Sequence, residues 1–432
     1  MPQQLNAAAG DFETRFLELL AAKREVSEDV DAAVRAILAD VKTRGDAAVV
    51  EYTNKFDRVF VAGIDQLRVT AAEVDAAEKA CSAEVLSHLD LAAARIRAFH
   101  EKQRPGDLDY TDEAGVELGI WWKPVEAAGL YVPGGTAAYP SSVLMNAIPA
   151  SVAGVDRVVM VVPAPDGVLN PLVLAAAKRA GVTEIYKIGG AQAVGALAYG
   201  TASIKPVDKI VGPGNAFVAA AKRQVFGTVG IDSIAGPSEI LVVADGNNDP
   251  DWVAIDLLSQ AEHDTSAQSI LITDDADFAA AVTEAVERHL ATLPRAEIAR
   301  TSWNEHGAVI LVPSIAGSIG IIDRIAAEHL ELAVDAPRAL AGKIRNAGAI
   351  FLGRHTPEAI GDYVAGPNHV LPTARSARFS SGLGVLDFMK RTTFVGCSPE
   401  SLAKIGPAAI GLAAAEGLDA HGRSVAIRLN RG

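Results

Sequence analysis

The pattern of hydrophobic and polar positions changes at about residue 115. Beyond that point, short apolar runs rich in Val and Ile alternate with alanine-rich stretches of helical character. The runs are continuously apolar, so they predict strands covered on both faces, which is typical of parallel sheets in α/β proteins. The runs are Arg157 to Val162, Glu184 to Ile188, Lys209 to Val211, Glu239 to Val243, Ser269 to Thr273, Ala308 to Val312 and Ala349 to Leu352.

These runs predict an α/β fold with two Rossmann-like but incomplete parallel-sheet layers. We expect a first α/β domain at residues 115–236 and a second at 237–378. Both repeat strand, helix and strand, but no residue-level identity relates them.

Helical patterns flank the two layers. Residues 1–114 predict a mainly helical region that packs on the sheets, with a capping box at Thr70 and Glu73 opening a segment that runs to Gln103. Residues 379–432 predict a helical tail with a short extended end, reached through a Ser/Arg/Gly-rich link. The helix that follows Ser27 presents one apolar stripe, made by Val30, Val34, Ile37, Leu38 and Val41.

Composition excludes several classes of protein. A chain of 432 residues holds about three domain-sized units, and its net charge of −14 argues against nucleic-acid binding, which needs a basic stripe. The two cysteines, Cys81 and Cys397, cannot build a disulfide framework, which suits a reducing cytosol. We read no secretion signal and no membrane span, so we expect a soluble, cytoplasmic protein.

A candidate metal site lies at the end of a helix that opens with Asp249 as N-cap and Pro250 at its first position. Gln260 and His263 are three residues apart and therefore share a face at its C-terminal end. Histidines in residues 361–369 and 416–422 supply further possible ligands for a four-coordinate zinc. On spacing alone, an ordinary helix end remains an alternative.

The candidate cofactor site lacks the usual dinucleotide signature, because no GxGxxG follows any predicted strand. Instead, Gly189 to Ala193 follows one strand and Gly212 to Asn215 follows the next, and either turn could cradle a phosphate with backbone N–H groups. Tyr131 precedes a third Gly-rich turn, Gly134-Gly135. Ordinary strand-to-helix turns remain the alternative for these segments.

Five separated motifs give the chain a resemblance to the histidinol dehydrogenase family. They are SQAEHD (Ser259 to Asp264), AAEHLEL (Ala326 to Leu332), GDYVAGPNHVLPT (Gly361 to Thr373), GPSEI after Ala235, and EGLDAHGRSV (Glu416 to Val425). One departure is Ala327, where the family usually has Pro. That proline would fix the backbone but carries no chemistry.

The resemblance implies a reaction and its cofactor. Family members oxidise L-histidinol to L-histidine through the aldehyde and reduce two NAD. By resemblance, Tyr131, Gln192 and Asn215 contact NAD, and the missing GxGxxG predicts loose binding, which suits an enzyme that exchanges NADH for NAD between two steps.

The resemblance also implies that Glu328 and His329 are catalytic. His329 would be the base for the hydroxyl proton, and Glu328 would activate the water that hydrates the aldehyde. Adjacent residues usually point in different directions, so we expect a turn or an irregular element end at this pair.

By resemblance, one Zn²⁺ per subunit is held by Gln260, His263, Asp362 and His421, which would bring these residues and the catalytic pair to the substrate. The metal would hold the imidazole and amino nitrogens of histidinol rather than carry electrons. Further substrate contacts implied in this way are Ser238, His369 and Glu416, and for His369 a structural hydrogen-bonding role stays open.

The family forms intertwined homodimers, so the resemblance predicts that the C-terminal tail crosses to the other subunit and completes a shared active site. Two other functions stay open on the residues alone. A zinc hydrolase would use the same side chains with water as nucleophile. A two-lobed, metal-dependent binding protein would have the same sheets without catalysis.

Overall fold

The fold is described from a computed structural model that covers residues 1–21, 28–134, 139–234 and 236–430. Three positions named above lie outside these residues: Ser27, before the second helix, Gly135, in the third Gly-rich turn, and Ala235. Within the described residues, no helix is both long and apolar enough to cross a membrane.

The chain alternates helices and strands over most of its length. The strands are β1 (Gln3–Asn6), β2 (Leu108–Thr111), β3 (Glu117–Pro124), β4 (Ala127–Tyr131), β5 (Arg157–Val161), β6 (Glu184–Tyr186), β7 (Lys209–Val211), β8 (Gly230–Ile231), β9 (Glu239–Ala244), β10 (Gln268–Thr273), β11 (Ala308–Leu311), β12 (His329–Ala333), β13 (Ala349–Leu352) and β14 (Met389–Gly396). The α-helices are α1 (Phe12–Ala21), α2 (Glu28–Arg44), α3 (Asp46–Asp57), α4 (Ala71–Ala80), α5 (Ala83–Glu101), α6 (Pro140–Ala153), α7 (Pro171–Ala180), α8 (Gly190–Tyr199), α9 (Ala216–Val225), α10 (Pro250–Ala261), α11 (Ala276–Leu290), α12 (Ala296–His306), α13 (Ile319–Ile325), α14 (Pro337–Ala341), α15 (Glu358–Tyr363), α16 (Pro399–Ala415) and α17 (Asp419–Ala426).

Two parallel sheets form the centre of the molecule, which confirms the predicted fold class. The first has five strands in the order β6-β5-β4-β7-β8, and the second has six in the order β1-β11-β10-β9-β12-β13. All seven apolar runs noted in the sequence coincide with strands of these sheets. Domain boundaries at 114, 236 and 378 stay predictions.

Both faces of each sheet are covered, as continuous apolarity predicts. In β5, Val158 and Met160 enter the core on one face, while Val159 and Val161 enter the core on the other. The second sheet behaves in the same way, since alternate residues of β9 belong to different cores. Each sheet is therefore a middle layer between helices.

The N-terminal region is helical from α1 to α5, but it contains two features that the pattern did not predict. The first strand, β1, adds to the edge of the six-stranded sheet beside β11. The capping box at Thr70 and Glu73 is confirmed, yet the predicted segment to Gln103 breaks at Cys81, whose backbone is extended, and Ser82 caps a new helix.

The C-terminal tail is not wholly helical. Its first part, β14, pairs antiparallel with β3 in a three-stranded sheet that also contains β2. The helices α16 and α17 follow. The prediction of an extended end was wrong, because Ile427–Leu429 form a 3₁₀ turn instead.

Candidate active site

A cavity of about 810 Å³ lies between the two parallel sheets. On one side are the carboxyl ends of β4, β6 and β7, and on the other are the amino ends of β9 and β12 with the C-terminal end of α10. Ten of the twelve predicted site residues line this cavity, namely Tyr131, Gln192, Asn215, Ser238, Gln260, His263, Glu328, His329, Asp362 and His369.

Glu328 and His329 lie where the chain turns into β12. Helix α13 ends at Ala326 in a left-handed conformation, Glu328 forms a bend, and His329 is the first strand residue. Both side chains reach the start of β9: the Glu239 N–H donates to Glu328 Oε2 at 3.0 Å, and His329 Nδ1 lies 3.1 Å from the Glu239 carbonyl oxygen. The expected irregular element end at this pair is confirmed.

The hydrogen bonds of His329 define its free nitrogen. Nδ1 contacts the Glu239 carbonyl oxygen and Gln260 Oε1, the latter at 3.0 Å. Because both partners are acceptors, Nδ1 carries the proton. Nε2 then holds the free lone pair, and it has no hydrogen-bond partner among the described residues. The ring is therefore held as a base that faces Glu358 and Asp362 at 3.6 and 3.8 Å.

Burial changes the proton affinity of these groups. Loss of water lowers the pKa of His329 to about 4, so the imidazole is neutral near pH 7. The same cause raises the pKa of the Glu328 carboxyl well above its usual range. Burial lowers the pKa of His369 to about 4. Perturbed groups that meet in one cavity are typical of an active site.

A cluster of acidic side chains lies beside His329. Glu358 and Asp362 are one turn apart on α15, and burial, followed by the neighbouring Glu358 charge, raises the pKa of Asp362 to about 8. The backbone N–H of Glu358 donates to Glu331, whose own pKa burial raises well above its usual range. Without a cation, the cluster favours protonated carboxyls.

The donor set fits a divalent metal. Ligand atoms of His329, Glu358 and Asp362 lie within 4.8 Å of one another, and no other such group of three is found among the described residues. Gln260 Nε2 and Glu358 Oε1 are buried there without hydrogen-bond partners. Sequence reasoning missed Glu358, although its spacing of four from Asp362 on a helix was a usable signal.

The predicted zinc ligands are brought together only in part. Gln260 and His263 lie at the C-terminal end of α10, and together with Asp362 they line the cavity. His421, on α17, is exposed and does not line it, and neither does Glu416, which follows α16. Within the described chain, three of the four predicted zinc ligands therefore line the cavity, and the fourth, His421, does not.

His369 and Ser238, the other two predicted substrate contacts at this cavity, also line it. His369 Nδ1 lies 3.9 Å from Asp362 Oδ1, and Nε2 lies 3.4 Å from Ser142 Oγ on α6. The neighbouring Asn368 Nδ2 donates to the Met145 carbonyl oxygen at 2.6 Å. Asn368 thus ties this segment to α6, and His369 faces the cavity.

The three predicted cofactor residues occupy the other side. Gly190 N–H donates to the Tyr131 hydroxyl at 3.0 Å, at the start of α8, where Gln192 lies in the first turn. Asn215 caps α9 by accepting from the N–H groups of Phe217 and Val218 at 3.1 and 3.2 Å. Two helix N-termini therefore meet at this wall, an arrangement that suits a pyrophosphate.

Comparisons with known proteins point to the same family over nearly the whole length of the chain. The family model described as histidinol dehydrogenase matches residues 20–429. The chain is 66% identical to the histidinol dehydrogenase of Rhodospirillum rubrum, with 100% of each chain covered, and 65% identical to that of Mesorhizobium japonicum, with 99% of each covered. The crystal structure of histidinol dehydrogenase from Elizabethkingia anophelis superposes with a TM-score of 0.94 at 37% identity, covering 99% of this chain and 98% of that one. The chain therefore belongs to the histidinol dehydrogenase family.

Proposed function

We propose that this protein oxidises L-histidinol to L-histidine through L-histidinaldehyde, with reduction of two NAD. The observation that carries the proposal is the pair Glu328 and His329, buried side by side at the wall of a cavity whose opposite wall fits a dinucleotide. The imidazole is neutral, and its Nε2 has no partner in the described part of the chain. A neutral base beside a carboxyl suits a two-step oxidation, because each step requires a group that accepts a proton.

Zinc and NAD supply the chemistry that side chains lack. When bound, zinc would hold the imidazole and amino nitrogens of the substrate, and NAD would accept a hydride in each oxidation. Gln260, His263 and Asp362, and not His329, would hold the metal together with His421 of a second subunit, which leaves His329 Nε2 free as a base. Tyr131, Gln192 and Asn215 would contact the cofactor. Apart from His421, all of these residues line the same cavity, which supports these roles.

The two catalytic residues would act in sequence. His329 Nε2 accepts the hydroxyl proton of the alcohol in the first oxidation, while Nδ1 stays fixed by the Glu239 carbonyl oxygen. Glu328, as the carboxylate, would then accept a proton from the water that adds to the aldehyde, and its raised pKa makes that carboxylate a stronger base than a solvated one. Ser238, His369 and Glu416 would orient the substrate.

We further propose a homodimer in which each tail completes the other subunit's site. Support comes from the exposed positions of Glu416 and His421 and from exposed apolar side chains near them in the chain. Leu412 and Leu418 are 66% and 43% exposed, which is unfavourable unless another surface covers them.

The test of the proposed function is NADH absorbance with histidinol as substrate. We expect two NADH per histidinol consumed and histidine as product. Turnover of a zinc-dependent hydrolase would not require NAD, and a binding protein would bind histidinol without turnover. Either result, obtained with zinc-loaded protein, would contradict the dehydrogenase proposal.

Removing the metal should abolish activity and leave the fold intact. The four apolar cores that surround the sheets contain none of the proposed ligands, so we expect them to persist without metal. Activity and far-ultraviolet circular dichroism, measured after EDTA and again after added Zn²⁺, check this. Loss of the helical signal together with activity would show that the metal is required for the fold.

A further inference from the structure

A buried ion pair lies in the cavity wall that carries the predicted cofactor residues, and both of its members line the cavity. It joins Lys222, in the second turn of α9, to Asp232, which follows β8. The two side chains are only 3% and 5% exposed. Removing two charges from water is costly, and an apolar side chain would serve packing better at this position, since Val218 and Val225 beside Lys222 on the helix are core residues. The pair therefore calls for a role other than packing.

Its hydrogen bonds converge on one glycine. Lys222 Nζ donates to the Gly212 carbonyl oxygen at 2.9 Å, and the Gly212 N–H donates to Asp232 Oδ2 at 2.7 Å. The two peptide groups that flank Gly212 are thus held from both sides by a pair of opposite charges. Hydrogen bonds to charged groups are shorter and stronger than neutral ones, so this clamp fixes the orientation of both peptides.

The glycine needs such a clamp because its conformation is unusual. Gly212 has φ +110°, and a Cβ there would lie 2.1 Å from the Tyr131 carbonyl oxygen. The close contact places the turn Gly212 to Asn215 directly against the end of β4. Asn215, at the end of this turn, caps α9. The orientation of Gly212 therefore sets the position of the turn relative to Tyr131.

We propose that Lys222 and Asp232 are positioning residues for the cofactor. They hold the turn Gly212 to Asn215 against Tyr131, so that the N-terminus of α9 and the Asn215 amide meet the dinucleotide in a fixed geometry. The inference rests on the proposed NAD-dependent function. Neither residue takes part in the chemistry. The pair affects the binding of the cofactor and not the binding of the metal or of histidinol.

The test is a comparison of Lys222→Met and Asp232→Asn with wild type. Lys222→Met removes the donor to the Gly212 carbonyl oxygen, and we expect an increase of about tenfold in KM for NAD and in the dissociation constant for NADH measured by fluorescence titration. Asp232→Asn removes the carboxylate charge that holds Lys222, and we expect a several-fold increase in KM for NAD and in the dissociation constant for NADH. KM for histidinol and zinc affinity should stay within about twofold of wild type.

Asp232→Asn also separates this inference from a direct role of the lysine charge. If Lys222 attracted the pyrophosphate itself, neutralising the neighbouring carboxylate would leave NADH binding unchanged or make it tighter, and that result would overturn the proposal. A rise in both KM values together would also overturn it, because that indicates general loosening. Circular dichroism shows whether each variant folds, and Asp232→Asn, which preserves shape, is the milder one.

The matched control is Lys209→Met. Lys209 lies on β7, three residues before Gly212, and its ammonium is 3.5 Å from Asp387. Loss of this charge should leave NADH binding unchanged. Wild type that forms no NADH from histidinol would refute the proposed function, whereas active wild type with unaltered NADH binding in both variants would refute only the clamp.

Discussion

His329→Asn is expected to slow the first oxidation of histidinol by about a thousandfold, in the middle of the range of about 10² to 10⁴ for loss of a general base. Asn retains the capacity to donate to the Glu239 carbonyl oxygen, but it offers no basic nitrogen where Nε2 stands. Stopped-flow NADH absorbance in a single turnover, with enzyme in excess over histidinol, measures this step directly.

Glu328→Gln should act mainly on the second oxidation. Gln keeps the shape and an acceptor for the Glu239 N–H, which lies 3.0 Å from Glu328 Oε2, but it cannot take a proton from water. With histidinol we expect the first NADH to form at close to the wild-type rate and the second to be delayed. With histidinaldehyde as substrate, the loss should appear in the only NADH formed.

The controls for this pair are surface residues of the same types. His289→Asn removes a histidine that pairs with Asp251, and Glu287→Gln removes a carboxyl that pairs with Arg300. Both should retain wild-type kinetics. Equal losses on histidinol and histidinaldehyde in both active-site variants would contradict the division of labour between Glu328 and His329.

Mixing two inactive variants should restore activity if the site is shared between subunits. His329 lines the cavity, whereas His421 is exposed on α17 outside it. In a mixed dimer of His329→Asn and His421→Ala, one site would carry both defects and the other neither. Random pairing of equal amounts gives about one half mixed dimers, each with one intact site of two, so about a quarter of wild-type sites should recover.

The chains should be co-expressed with different affinity tags, because intertwined dimers exchange slowly. Purification through both tags in series isolates the mixed dimers, in which half of the sites are expected to be active. A pairing of two variants from the same side, His329→Asn with Gln260→Ala, should stay inactive. Inactivity of verified His329→Asn and His421→Ala dimers would show that each chain completes its own site.

The sequence determined the elements whose signals are local. Continuous apolar runs such as Ile240 to Val243, which follow Glu239, indicated parallel strands, because a strand with both faces buried has few polar positions. The capping box at Thr70 and Glu73 was readable for the same reason, since its partners are three residues apart. The five family motifs indicated the family before any geometry was known.

Other features depended on partners distant in the chain. The strand β12 begins at His329 and contains Glu331, so its pattern includes charges that only the surrounding sheet makes tolerable. The strand β1 pairs with β11, about three hundred residues later, and its own composition gives no sign of this. Close to the last described residue, Ile427–Leu429 form a 3₁₀ turn and not the predicted extended segment.

What the sequence by itself determined was therefore the fold class and the types of residue available for chemistry. Only the tertiary structure placed the amino ends of β9 and β12 opposite the carboxyl ends of β4 and β7, and it alone revealed Glu358 beside His329 and the Lys222 and Asp232 clamp on Gly212. The physical reason is that propensity and capping act over a few residues. The cost of burying a charge, and the hydrogen bonds that offset it, depend on which distant groups the fold brings into contact.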